Sequence, residues 1–148
     1  MRVEALPDAV VVDASVGLKW VIDEPGSDAA VALVAGRALL TSALFWVEAA
    51  NALATKERPT ELDRAGLNDA WRDLVQAPLE TAPLDHATAK SALELAAKLR
   101  HPVHDSCYLE LALARGTVVI TADRRFRRLA EAHATLAGRV VHLDELEF

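Results

Sequence analysis

The sequence predicts an α/β domain in which a parallel sheet of four to five short strands is covered by helices. Three observations lead there. Ala9 to Val12 and Val118 to Ile120 are short apolar runs, rich in β-branched residues and unbroken by polar ones, as strands buried on both faces are. Longer segments with helical periodicity separate such runs. Helix and strand signals then alternate along all 148 residues, with no repeat, linker or low-complexity segment between them. With 52% of residues hydrophobic, a chain of this length buries one core, so 1–148 reads as a single domain.

The elements follow in order. Val10 to Asp13 is the first strand. A helix is expected from about Ser15 to Ile22, before the break at Pro25 and Gly26. Ser27 or Asp28 is the expected cap of a second helix ending near Gly36. Ala38 to Thr41 is the second strand, and Phe45 to Lys56 is helical, stopping before Pro59. Thr60 to Gln76 is amphipathic, with Leu67, Ala70, Trp71, Leu74 and Val75 on one stripe. Leu79 to Ala82 is a short, weaker strand, and Leu84 and Asp85 lead into a helix that Pro102 ends. Asp105 to Arg115 is a helix apolar almost all round, hence central and buried, with Gly116 closing it. Val118 to Thr121 is a strand, Asp123 to His133 a helix, and Arg139 to Leu143 the last strand.

Composition narrows the function. No apolar stretch approaches the roughly 18 residues of a membrane span. Glu4 and Asp8 sit where a signal peptide needs positive charge and then an apolar run. Cys107 is the sole cysteine, so no internal disulfide forms and a reducing cytoplasm is the expected setting. The net charge of −6 argues against a sequence-independent nucleic-acid binder with a basic face, unless the acid is gathered in a pocket filled by cations.

The carboxylates point to such a pocket. Asp13 closes the first strand and Asp123 follows the Val118–Thr121 strand, and open α/β sheets bind ligands outside the carboxyl ends of their strands. Glu48 and Asp105 lie on helices that can lean over that edge. Asp13, Asp105 and Asp123 also precede helices, where Asp is a favoured N-cap, so each has a purely structural reading. Glu48 is harder to explain that way. Phe45, Trp46, Val47, Ala49, Ala50, Ala52 and Leu53 surround it, and a buried, unpaired carboxylate is costly. Asn51, one turn on, is expected to orient Glu48 or a bound water. Ser15 and Thr121 are hydroxyls beside Asp13 and Asp123. Arg124, Arg125, Arg127 and Arg128 form a basic cluster that is either a solvated helix face or a phosphate contact. His101, His104 and Asp105 lack a third His at ligand spacing, which argues against a transition-metal site. Cys107 and the three tryptophans read as packing residues.

Four segments, in this order, resemble the PIN-domain ribonucleases of the VapC type, toxins of type II toxin–antitoxin pairs. They are VVVDAS with Asp13 and Ser15, FWVEAANAL with Glu48 and Asn51, VHDSCYLELAL with Asp105 and Tyr108, and ITADRRF with Thr121 and Asp123. The resemblance covers nearly the whole chain and implies a PIN-like three-layer α/β/α fold. It implies Mg²⁺- or Mn²⁺-dependent cleavage of RNA, a homodimer, and neutralisation by a cognate VapB-type antitoxin. Mg²⁺ takes oxygen ligands and keeps several waters, which a few carboxylates satisfy. On that basis Asp13, Asp105 and Asp123 are expected as direct or water-mediated metal ligands, and Glu48 as a ligand or as the base positioning the attacking water. Ser15, Asn51 and Thr121 would support them, and Arg124 and Arg125 would contact RNA.

Rival classes fit less well. A haloacid-dehalogenase-like enzyme needs an Asp where Ser15 stands, a receiver domain needs Asp and Lys where Thr41 and Thr121 stand, and no glycine-rich nucleotide loop is present. A catalytically silent interaction module is the surviving alternative.

Overall fold

The computed structural model describes residues 1–56 and 62–148. Among them, β1 (Ala9–Val12), β2 (Ala38–Ser42), β3 (Leu79–Ala82), β4 (Val119–Thr121) and β5 (Val140–His142) form one sheet in the order β3-β2-β1-β4-β5. Every neighbouring pair is parallel. The helices are α1 (Ala14–Gly17), α2 (Ser27–Val34), α3 (Leu44–Lys56), α4 (Arg64–Val75), α5 (His86–Leu99), α6 (Val103–Ala114) and α7 (Arg124–Glu131).

The alternation of strand side chains sorts the core into two layers. Val10, Val12, Leu39, Ile120 and Val141 pack with Ala30 and Leu33 of α2. Val11, Leu40, Val119 and Val140 face the other way, against residues of α3 to α7 that include Phe45, Leu74, Leu99, Tyr108 and Phe126. Helices therefore cover both faces, as expected of a three-layer α/β/α arrangement. The apolar α6 lies across β1, β2 and β4 and is buried along most of its length.

This topology decides where the polar chemistry gathers. The strand order grows from β1 through β2 to β3 on one side and from β4 to β5 on the other, which makes the carboxyl ends of β1 and β4 the switch point. Helices α1, α3 and α7 leave β1, β2 and β4 almost immediately, so their N-termini lie at that edge. Because α6 feeds into β4, it runs antiparallel to the strands and its first turn also lies there. Four helix N-termini, each with spare N–H groups and the positive end of a dipole, thus meet at one edge.

Several boundaries differ from the sequence expectation. The first helix is one turn, α1, followed by a 3₁₀ turn over Leu18–Trp20, because its end tightens as the Val21 N–H bonds to the Leu18 carbonyl. Gly26, at φ 92°, takes the cap position of α2. Ser27 closes the preceding turn instead, accepting from the Glu24 N–H and donating to the Ile22 carbonyl. Helix α6 begins at Val103 after Pro102, which puts Asp105 inside the first turn and removes its reading as an N-cap. The stop at Pro59 and the start at Thr60 lie outside the described residues; α4 begins at Arg64, capped by Asp63.

Gly17 fixes how closely α1 and α3 approach. A Cβ there would stand 2.4 Å from two ring atoms of the fully buried Phe45. Gly17→Ala should therefore cost about 1–3 kcal/mol through overpacking, measurable by urea denaturation. An unchanged midpoint would mean that Phe45 has room to move.

Candidate active site

Asp13 is the most enclosed of the acidic groups, with only 4% of its surface exposed. It follows β1 directly, and the β1–β4 register brings it beside Thr121. Its Oδ1 accepts from Ser15 Oγ at 2.5 Å and from the Val16 N–H at 3.2 Å, so it caps α1. Its Oδ2 accepts from Thr121 Oγ1 at 2.5 Å. Those hydroxyls are fixed in turn, Ser15 by the Ala122 N–H and Thr121 by the Asp123 N–H. Ser15 and Thr121, expected as supporting groups, thus both touch Asp13. Burial pushes the Asp13 carboxyl up to about 6; the hydrogen bonds oppose that rise and the nearby charge of Asp105 adds to it.

The other three carboxylates share a pattern: one oxygen is held by a hydrogen bond and the other makes no hydrogen bond among the described residues. Glu48 Oε1 accepts from Tyr108 Oη at 2.5 Å. Asp105 Oδ2 contacts His101 Nε2 at 2.5 Å. Asp123 Oδ1 caps α7, accepting from the Arg125 and Phe126 N–H groups at 2.7 and 3.0 Å. Its Oδ2 lies 4.0 Å from His101 Nε2. Ligand atoms of His101, Asp105 and Asp123 all fall within 4.8 Å of one another. Asp105 is the electrostatic hub, since its charge raises the affinity of both Asp13 and Glu48 for a proton. For Glu48 the larger cause is burial, which lifts its carboxyl above the usual range against the Tyr108 hydrogen bond and nearby His104. Burial and the Glu48 contact keep the Tyr108 phenol protonated, as a donor must be.

The donor set suits a hard divalent cation. Oxygens of Asp105 and Asp123 lie together beside His101, while Glu48 and Asp13 fall outside that close group and are linked to it through the charge of Asp105; such cations prefer oxygen ligands. A cleft of about 610 Å³ reaches the cluster through Ser15 and Asp123 and is flanked by Lys19, Arg124 and Arg125. A second cavity, of about 480 Å³, lies between α7 and the chain after β5 and touches none of the four acids.

Asn51 is not brought to Glu48. It is exposed and makes no side-chain hydrogen bond among the described residues. At about 100° per residue, position 51 lies a further ~60° round α3 from Glu48, away from the buried Phe45–Ala49–Leu53 face. Tyr108 takes that role from α6. The arginine cluster divides: Arg124 pairs with Asp144, and Arg127 with Glu131 and Glu145. Arg125 and Arg128 are exposed, with no ion pair among the described residues. Two contributors are easily undervalued in the sequence. A lone Tyr in an apolar helix is the signal for a donor to half-buried Glu48. His101 stands out in the sequence only as a candidate ligand beside His104 and Asp105, because its inward turn depends on Arg100 adopting φ 50°.

A family model described as the PIN domain matches residues 10–132. Comparison with curated proteins gives no significant match. Among solved structures, the chain is similar to PAE2754 of Pyrobaculum aerophilum, at TM-score 0.68 and 19% identity over 93% of this chain and 85% of that one. It is similar to VapC20 of Mycobacterium tuberculosis, described as a sarcin-ricin loop cleaving toxin, at TM-score 0.64 and 14% identity over 80% and 93%. VapBC2 of Rickettsia felis, solved bound to a promoter DNA fragment, gives TM-score 0.63 and 13% identity over 90% and 98%.

The buried Asp13 makes stability depend on pH. Its folded value of about 6 stands above the ordinary 3.8, so its contribution is complete below about pH 4 and is lost as pH rises through 6. In chelator, Asp13→Asn should gain on the wild type across that window, by on the order of 2–3 kcal/mol at pH 8. Denaturation at pH 4 to 8 checks this; a difference that does not vary with pH would mean that the carboxyl is not raised.

Proposed function

The chain belongs to the PIN domain family, and on that footing we propose that it is a metal-dependent endoribonuclease of the VapC kind, the toxin of a toxin–antitoxin pair. The observation that carries this reading is the division of labour within the carboxylates. Glu48, Asp105 and Asp123 are each anchored by hydrogen bonds through one oxygen and make none through the other. A purely structural set of caps has no need to leave three oxygens uncommitted at one edge.

In this reading Asp13, Asp105 and Asp123 would hold Mg²⁺ or Mn²⁺ directly or through water, and the ion would supply Lewis-acid polarisation of the phosphodiester and a more acidic water. The protein does the rest. Glu48, seated by Tyr108 and made more basic by burial, orients the attacking water and receives its proton. Ser15 and Thr121 keep Asp13 from rotating, which fixes the position of the cluster relative to the sheet. Arg125 and Arg128 draw the RNA backbone toward the cleft; Arg124 contributes less, being paired with Asp144. A VapB-type antitoxin belongs to the same proposal, supported by the toxin–antitoxin complexes among the structural neighbours; a homodimer and a cytoplasmic setting belong to it through the family resemblance alone. No helix among the described residues is long and apolar enough to cross a membrane.

Purified protein should cleave RNA with Mg²⁺ or Mn²⁺ and stop in chelator. Asp13→Asn and Asp105→Asn should abolish cleavage, and Glu48→Gln should slow it by about 100-fold or more. Undiminished cleavage in excess chelator would sink the metal-dependent reading. Cation binding without cleavage of any cellular RNA would favour the silent interaction module.

The arginines give a separate expectation. Replacing Arg125 and Arg128 with Gln should flatten the salt dependence of RNA binding, the logarithmic slope falling by about 0.7 for each phosphate no longer neutralised. Stability should move by less than about 0.5 kcal/mol, as for ordinary surface changes. An unchanged slope in binding titrations would return both residues to the solvated face.

A further inference from the structure

The buried imidazole of His101 lies against Asp105 and close to Asp123, and the reading above has no use for it. We infer that His101 is a positioning residue: its Nε2–H holds Asp105 Oδ2, turning Oδ1 toward the cation, and the imidazole itself is not a ligand. The inference rests on the reading of Asp105 and Asp123 as cation-binding groups. Three observations carry it. The side chain is 3% exposed, and its Nε2 lies 2.5 Å from Asp105 Oδ2. Its plane is fixed by stacking on Phe126, with centroids 5.3 Å apart and planes 3° from parallel. Its other nitrogen, Nδ1, is buried and has no hydrogen-bond partner among the described residues.

The third observation separates the two roles open to the ring. To ligate a cation through Nε2, a neutral imidazole must carry its hydrogen on Nδ1. Metal-bound histidines almost always donate that second N–H to a carboxylate, carbonyl or water. Here Nδ1 would become a buried donor without an acceptor, an arrangement that folded proteins avoid. With the hydrogen on Nε2, the donor meets a carboxylate and only a bare lone pair is left at Nδ1. The hydrogen bond made by one nitrogen thus sets the role of the other.

Phe126 ties this clamp to the rest of the site. Its backbone N–H donates to Asp123 Oδ1 while its ring braces His101, so one residue of α7 touches both Asp123 and, through the imidazole, Asp105. The turn that delivers the ring inward is set by Arg100 at φ 50° and by the His101 N–H bonding to the Ala96 carbonyl.

The test measures Mn²⁺ alone, by the electron paramagnetic resonance of free and bound ion, on wild type, Asp105→Asn, His101→Leu and His101→Gln. His101→Leu should bind Mn²⁺ about 10- to 100-fold more weakly, the usual effect of losing a group that orients a ligand. His101→Gln, whose amide Nε2–H can occupy the imidazole position, should recover most of that loss, and cleavage should follow binding in each variant. Pulsed resonance on the Mn²⁺-loaded wild type should show no directly coordinated nitrogen. Wild-type affinity in His101→Leu, or equal weakening in the Leu and Gln variants, overturns the donor role while leaving the metal reading intact. A coordinated nitrogen overturns it in favour of ligation. Failure of the wild type to bind Mn²⁺, or full binding by Asp105→Asn, overturns the metal reading and this inference with it.

Discussion

The constraint on which the rest of the structure turns is the meeting of negative charge at one edge of a parallel sheet. Asp105 stands close to Asp123, and its charge acts on both Asp13 and Glu48; the most buried of the four, Asp13, holds its proton to about pH 6. Such a cluster opposes folding unless something offsets the repulsion. Part of the offset is built into the backbone: the N-termini of α1, α3, α6 and α7 bring unpaired N–H groups and positive dipole ends to that edge. The remainder is left for a cation. Closing the charge balance entirely with lysine or arginine would have filled the space that an ion and a phosphate need.

Helix capping and ligand binding are usually weighed as competing explanations of an Asp at a strand end. Here they are compatible, because a carboxylate has two oxygens. Asp123 spends Oδ1 on the first turn of α7 and keeps Oδ2 on the side of His101 and Asp105. The cap fixes the side-chain torsion, so the free oxygen is aimed without a separate supporting residue. Asp13 carries the same logic further, with both oxygens held and almost no freedom left.

Much of this is legible in the sequence. The unbroken apolar strands, the all-apolar α6 and the Asp after β1 and β4 each leave a local signal, and together they predict the sheet, its buried crossing helix and the acidic edge. What is not legible depends on contacts between distant segments. Tyr108 meets Glu48 across 60 positions, and no periodicity records that. Asn51 is suitable by spacing, but the buried face of α3 is set by what packs on it, and that face excludes position 51. His101 is weighed with His104 and Asp105 and set aside, because a histidine before a proline reads as a surface turn. The left-handed Arg100 that folds it inward is a backbone event with no glycine or asparagine to announce it.

The hydrogen bond from Thr121 to Asp13 joins positions 108 residues apart, through strands that are neighbours only in the finished sheet. Long-range pairing of this sort comes late, since the entropy of closing the loop must be met before the contact forms. A ribosome-bound chain that has not yet delivered β4 has Asp13 and Glu48 but neither the hydroxyl that seats Asp13 nor Asp123. The chemistry at this edge is therefore a property of the completed fold alone. For a protein proposed to damage RNA in the cell that makes it, the polypeptide stays harmless through most of its own synthesis, and a partner that captures the newly finished chain has the whole of that interval in which to be ready.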